Sequence, residues 1–184
     1  MDGINGITGG YSVVVMASFW YINNYIVPFI DNYLIYIVLL SLLVFDFFNF
    51  RKRAKCFAGD VGSVSIAFII VFLLCKLIVQ EHDISYIIIL LIYGVDTVLT
   101  IVHRLILKES IFVAHRKHMY QIMSNELHIP HIYVSLLYMA AQAVVMAGYF
   151  VLKANSSWYF LISASVIGTI YITFMLKYFK LHSQ

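Results

Sequence analysis

VGSVSIAFIIVFLLCKLIV, residues 61–79, decides the fold: 19 residues with a single charged side chain, Lys76. A helix that crosses a hydrocarbon core of about 30 Å needs about 20 predominantly apolar residues, and this run supplies them. In lipid every backbone polar group must be satisfied internally, which leaves helices or a closed barrel. The apolar residues here are continuous rather than alternating, the pattern of a helix and not of a barrel strand. Working outward, five further runs read the same way: Tyr11–Tyr25, short and polar-tipped, then Tyr33–Phe50, Ile84–Val102, Ile132–Leu152 and Trp158–Phe179.

The whole chain agrees with its most apolar stretch. Of 184 residues, 62% are hydrophobic and 11% charged, with a mean hydropathy of +0.91. A soluble domain carries roughly 25% charged residues. The composition excludes a soluble domain, a disordered tail, a disulfide scaffold and a typical nucleic-acid binder. The expected fold is all-α, a polytopic membrane helix bundle of about six transmembrane helices. It forms a single membrane domain over residues 1–184, with the lipid bilayer as partner and no nucleic acid. Cys56 and Cys75 show no metal or redox spacing and read as small packing residues. The opening MDGINGITGG has no basic n-region and no cleavage site, so it is not a signal peptide.

The charges fall unevenly on the junctions. Ten of the 12 Lys and Arg, among them Arg51, Lys52, Arg53, Lys55, Arg104, Arg116 and Lys117, belong to one side, and Lys76 and Lys153 to the other. The positive-inside rule places the N-terminus, the 51–60 junction, the 103–131 loop and the C-terminus in the cytoplasm. That last loop exceeds the usual short connection. It holds five of the seven histidines, His103, His115, His118, His128 and His131.

Three clusters share the cytoplasmic side. Asp2-Gly3-Ile4-Asn5-Gly6 precedes the first span, and by itself is equally a turn, since Gly and Asn tolerate positive φ. Cys56-Phe57-Ala58-Gly59-Asp60-Val61-Gly62-Ser63 opens the third span, and by itself is equally a helix cap. Phe57 there is an interface anchor or a stacking platform for a base. His115-Arg116-Lys117-His118 is equally a basic patch at a lipid surface. Within the fourth span, Asp96 lies eight residues before Arg104. An ionisable group in a span costs roughly 2.5–3.5 kcal/mol on insertion scales, so the ordinary reading is a buried structural pair. Taken together, acids suited to a hard cation, a Gly-rich turn and a basic histidine loop are the equipment for a phosphorylated, water-soluble donor at a membrane surface.

These segments resemble the polyprenyl-phosphate N-acetylhexosamine-1-phosphate transferases of the MraY/WecA type, bacterial glycosyl transferase family 4. Met1 to Gly10 is similar to the family's Asn-x-x-Asp-Gly-x-Asp-Gly-Leu-Ala-x-Gly segment, with Asn5 where many members have Asp. NFRKRAKCFAGDVGS, Asn49 to Ser63, is similar to its Asn-x-x-Pro-Ala-Lys-x-Phe-x-Gly-Asp-x-Gly-Ser segment, with Arg53 for Pro and Ala58 for Met. Asp96, Arg104 and His115 through Gln121 follow its Asp…Arg…His-Arg-x-His-x-x-Gln order.

The resemblance implies transfer of a sugar-1-phosphate, GlcNAc-1-phosphate being the expected one, from a UDP-sugar donor to undecaprenyl phosphate, with release of UMP. The setting implied is cell-envelope polysaccharide synthesis on the cytoplasmic face of the bacterial inner membrane, and a homodimer is left open. Asp60 would hold Mg²⁺, for which Mn²⁺ can substitute. Asp2 would lie near the metal or the lipid phosphate, Gly3, Ile4 and Asn5 would line the nucleotide pocket, and Phe57 would stack on uracil. His115, Arg116 and His118 would bind the phosphates. The family's paired-aspartate motif has no counterpart here, so the chain is expected to be the C-terminal half of such an enzyme and inactive alone. The rival class is a non-catalytic membrane module. In one form it is a dead remnant. In the other it is a histidine-rich metal binder, with His115/His118 and His128/His131 each spaced to share a helical face.

Overall fold

The computed structural model describes residues 3–108, 110, 117–152 and 156–178. Every regular element among them is helical. In chain order they are α1 (Ile7–Tyr25), α2 (Asn32–Asn49), α3 (Gly59–Glu81), a 3-10 segment (Ile84–Leu90) running into α4 (Leu91–Ile106), the short α5 (Met119–Gln121) continued by a π turn (Ile122–Glu126), α6 (His131–Val151) and α7 (Ser156–Lys177). Five of these, α2, α3, the 3-10 segment with α4, α6 and α7, are long and apolar enough to cross a membrane.

The first expected span differs in kind. With 19 residues, α1 is about 28 Å long, enough to cross, but it is not among those five. Its sequence holds Thr8, Ser12, Ser18 and Asn23, all buried. A helix surrounded by other helices can carry polar side chains that bond within the bundle, whereas a helix facing lipid cannot. α1 is therefore the central element, packed on α2, α3 and α6. Its core face is Ile7, Tyr11, Val15, Phe19 and Ile22.

The α1–α2 hairpin is built on one buried amide. Asn23 Oδ1 accepts the backbone N–H groups of Phe29 and Ile30 at 2.8 and 3.0 Å. Its Nδ2 donates to the Ile30 carbonyl at 2.9 Å and to Asn32 Oδ1 at 2.9 Å. Asp31 then caps α2 by accepting from Tyr33 N. At the far end of α2 the chain turns through the basic junction, and Gly59, with φ of 61°, leads into α3.

The fourth span is broken where the sequence predicts one continuous helix from Ile84. Its first seven residues form 3-10 turns, and the change to α geometry at Leu91 leaves backbone groups without helical partners. Side chains from other helices satisfy them. Gln142 of α6 accepts from Ile92 N at 3.2 Å and donates to the Ile88 carbonyl at 2.9 Å, while Tyr11 of α1 donates to Gln142 Oε1 at 2.7 Å.

The up-and-down order puts the start of α1, the end of α2, the starts of α3 and α6, and the ends of α4 and α7 at one end of the bundle. That end carries the basic junctions, so it is expected to face the cytoplasm. In a background with Cys56 and Cys75 replaced, a cysteine at position 82 is expected to react with an impermeant reagent in intact cells. One at position 117 is expected to react only after permeabilisation. The opposite pattern would invert the bundle.

Candidate active site

The three motif segments meet at that end, and short polar side chains join them. Gly6 takes φ of 82°, a left-handed conformation suited to glycine, and turns the chain into α1. Its N–H donates to Asn49 Oδ1 at 2.7 Å, and Asn49 Nδ2 donates to the Cys56 carbonyl at 2.8 Å. One buried amide thus ties the first segment to both ends of the junction that leads into the second.

Asn5 is held on four sides. Its N–H donates to His131 Nδ1 at 3.3 Å, and its carbonyl accepts from Ser135 Oγ at 2.9 Å. Its side-chain amide donates to the carbonyls of Arg51 and Lys52 at 3.1 and 3.4 Å. A carboxylate cannot donate to a carbonyl, so asparagine suits this position where aspartate would not. The Asn5 side chain binds the basic junction. Ile4 is only 5% exposed and belongs to the core.

Gly3 brings in the third segment. A Cβ on Gly3 would lie 2.8 Å from Gln121 Nε2 and 3.0 Å from Tyr120 Cε2, so the first segment passes directly over the residues that follow His118. The expected long loop is in part ordered helix, since α4 runs on to Ile106 and the chain re-forms helix at Met119. Gln121 Oε1 accepts the His118 N–H at 3.3 Å and fixes the start of α5.

Beneath this turn lies Asp96, 3% exposed. Eight residues along a helix is roughly 12 Å, too far for Asp96 to pair with Arg104. Its partners come from elsewhere. Tyr138 of α6 donates to Oδ2 at 2.7 Å, and Thr100 and the Met119 N–H donate to Oδ1 at 3.2 and 3.1 Å. His118 Nδ1 lies 3.4 Å from Oδ1. Thr100 in turn shares a 2.7 Å hydrogen bond with Tyr171 of α7. Arg104 donates to the Ser110 carbonyl.

Asp60 and Phe57 stand apart from this network. Asp60 is exposed in the first turn of α3. Phe57 is 71% exposed, its ring open to a partner. Phe57 and Ala58 border a groove of about 490 Å³ between α1, α2 and α3, which Thr8 and Gly9 also line. Asp2, His115 and Arg116 lie outside the described residues.

The histidines do not gather into a metal site among the described residues. His128 has φ of 54° and lies before α6, while His131 is the first residue of α6 and accepts from Asn5 N. The i, i+3 pair therefore does not share a helical face, and no three His, Cys, Asp or Glu side chains converge among the described residues. The residues that spacing missed are Asn49, Tyr138, Thr100 and Gln142. In the sequence Asn49 figures only as the head of the second motif segment; the signal the four share is a polar side chain within or at the end of an apolar run, where burial demands a partner.

No curated protein and no solved structure matches the chain. Residues 1–78, which hold α1, α2, most of α3 and two of the three motif segments, match the model of Glycosyl transferase family 4, so this part of the chain carries the sequence pattern of that transferase family.

Proposed function

We propose that this end of the bundle handles the transfer of a sugar-1-phosphate, with GlcNAc as the sugar, from a UDP-sugar to undecaprenyl phosphate. An oxygen of the lipid phosphate attacks the sugar-bearing phosphorus of the donor. The bond from that phosphorus to the bridging oxygen breaks, and UMP leaves. The observation that carries the reading is the contact of three separated motif segments at one end: Gly3 against Tyr120 and Gln121, Asn5 against the 51–52 junction, and Gly6 through Asn49 to Cys56.

The roles follow from position and chemistry. Phosphoryl transfer is mostly positioning and charge neutralisation. Phe57 offers an exposed ring for uracil at the groove beside Gly9. His118, with His115 and Arg116 before it, supplies donors for the phosphates. Asp2 would serve near the metal or the lipid phosphate. Asp60 fits Mg²⁺, because it is exposed and no described residue bonds its carboxylate. Mg²⁺ takes one or two carboxylates together with substrate phosphates. When bound, the ion would offset the charge that develops on the diphosphate. The setting proposed is the bacterial inner membrane, with the site on the cytoplasmic face.

The test uses membranes carrying the chain, radiolabelled UDP-GlcNAc, undecaprenyl phosphate and Mg²⁺. It is run with and without the N-terminal half of a complete family member supplied in trans. Metal-dependent labelled lipid above an Asp60→Asn control is the expected result in at least one arm. No labelled lipid in either arm, with the chain folded in the membrane, would leave the non-catalytic module as the reading.

A further inference from the structure

We infer that Asp96 is a positioning residue for His118: it holds the imidazole as the Nδ1–H tautomer and turns Nε2 toward the site. The inference rests on the phosphate-binding role proposed above for His118, and it adds the group that aims that histidine.

The geometry fixes the ring in two ways. Its plane is set by Tyr120, which stacks on it with centroids 5.5 Å apart and planes 14° apart. Tyr120 is itself buried, edge-on to Tyr93 and Tyr138. Its edge is turned to Asp96, whose Oδ1 lies 3.4 Å from the buried Nδ1, within ion-pair range and short of a formed hydrogen bond.

The Asp96 carboxylate cannot move to suit another arrangement. It already accepts from Tyr138 of α6, from Thr100 of its own helix and from the Met119 backbone, and Thr100 is tied to Tyr171 of α7. Three helices and the turn itself therefore determine where this carboxylate points. An ionised carboxylate is only an acceptor. Facing it with the lone pair of an unprotonated nitrogen would set two acceptors together in a medium where charge repulsion is strong. The nitrogen facing Asp96 therefore carries the proton. In the neutral imidazole the lone pair is then on Nε2, on the opposite edge of the ring, away from Asp96. A tautomer fixed by the partner of the other nitrogen is the usual way a histidine is aimed. The side chain is 20% exposed although Nδ1 is buried, so the ring reaches the surface by its other atoms.

The arrangement also explains an acid buried in the fourth span. Asp96 carries the position of α4, α6 and α7 into the one histidine of the loop that the structure describes at the turn into α5.

The test is ¹⁵N NMR of the chain in bilayers, labelled at histidine, with the His118 signals identified by their loss in His118→Gln. At a pH where imidazoles are neutral, His118 is expected to show a protonated Nδ1 and an unprotonated Nε2. The Nε2–H tautomer in the unsubstituted chain would overturn the inference. This spectrum needs no change at Asp96, so misfolding of a variant leaves it decisive.

Asp96→Asn, which keeps the shape and removes the charge, is expected to release His118 to a mixture of tautomers. In the transfer assay it should lower kcat by roughly tenfold to a hundredfold, the scale on which orienting partners of histidine act, with Mg²⁺ dependence unchanged. An unaltered tautomer in Asp96→Asn would also overturn the inference. Normal transfer by His118→Gln, together with the expected wild-type tautomer, would sink the phosphate role and leave the positioning geometry standing.

Discussion

Asp60→Asn is expected to reduce sugar-phosphate transfer by at least about a hundredfold, the scale of losing one contact to developing charge in a reaction centre. What remains should need more Mg²⁺, because a neutral amide oxygen holds a hard cation less well than a carboxylate. The structure makes this substitution interpretable. Asp60 is exposed, and the hydrogen bond recorded at this residue runs to its backbone carbonyl, from Ser63 Oγ at 3.3 Å. Its structural contribution is the favourable position of an acid in the first turn of α3, worth at most about 1 kcal/mol. The variant should therefore fold and insert as the parent does, so a lost rate reports on chemistry. A rate within a factor of about two of the parent, at the same Mg²⁺ requirement, would remove Asp60 from the metal site.

Much of the bundle was legible because lipid imposes a length. The runs Tyr33–Phe50, Val61–Val79, Ile132–Leu152 and Trp158–Phe179 fall within two or three residues of α2, α3, α6 and α7. An apolar run that must cover the hydrocarbon core and then meet water has little freedom at its ends. The exceptions have a common cause. α1 is polar because it lies at the centre, and centrality is a property of the assembled bundle. The 3-10 start of the fourth span depends on Gln142, 50 residues away from Ile92. No periodicity within Ile84–Val102 carries that information.

The site was legible only as a set of segments. Resemblance singled out Asn5, Asp60 and His118, but what each side chain does depends on partners distant in the chain. The Asn5 side chain reaches the carbonyls of Arg51 and Lys52, 46 and 47 residues on, and these bonds make it a strap rather than an open side chain. Asp96 was legible as a costly buried charge in need of a partner. The nearest cation in sequence, Arg104, is on the same helix but two turns too far. The actual partners are Thr100, one turn on, and groups across the bundle and in the turn into α5. A buried charge announces that it is satisfied without saying by what. The match of residues 1–78 to the transferase family covers the first two segments, and the third is joined to them by the contact of Gly3 with Tyr120 and Gln121.

Gly6→Ala is expected to loosen the whole motif end, and two separate costs can be assigned to it. Gly6 has φ of 82°, where an L side chain is strained. Its Cβ would also lie 2.4 Å from Cδ2 of the Phe50 ring, at the C-terminal end of α2. The strain costs about 1–2 kcal/mol and the overpacking about 1–3 kcal/mol, so destabilisation of about 2–5 kcal/mol is expected if the two add. If Phe50 moves, Asn49 moves with it, and the bonds from Gly6 N to Asn49 and from Asn49 to the Cys56 carbonyl are lost together. Those bonds hold the first motif segment against the second, so the damage should reach the site before it reaches the far end of the bundle. Unfolding in detergent by increasing SDS, followed by tryptophan fluorescence, measures the total. Phe50→Leu in the Gly6→Ala background separates the parts: it should recover the share owed to the ring and leave the share owed to φ. Gly6→Ala with unchanged stability would mean that Gly6 does not hold the left-handed turn. Full recovery in the double variant would mean that the turn carries no strain, and that Asn49 is positioned by packing against Phe50 alone.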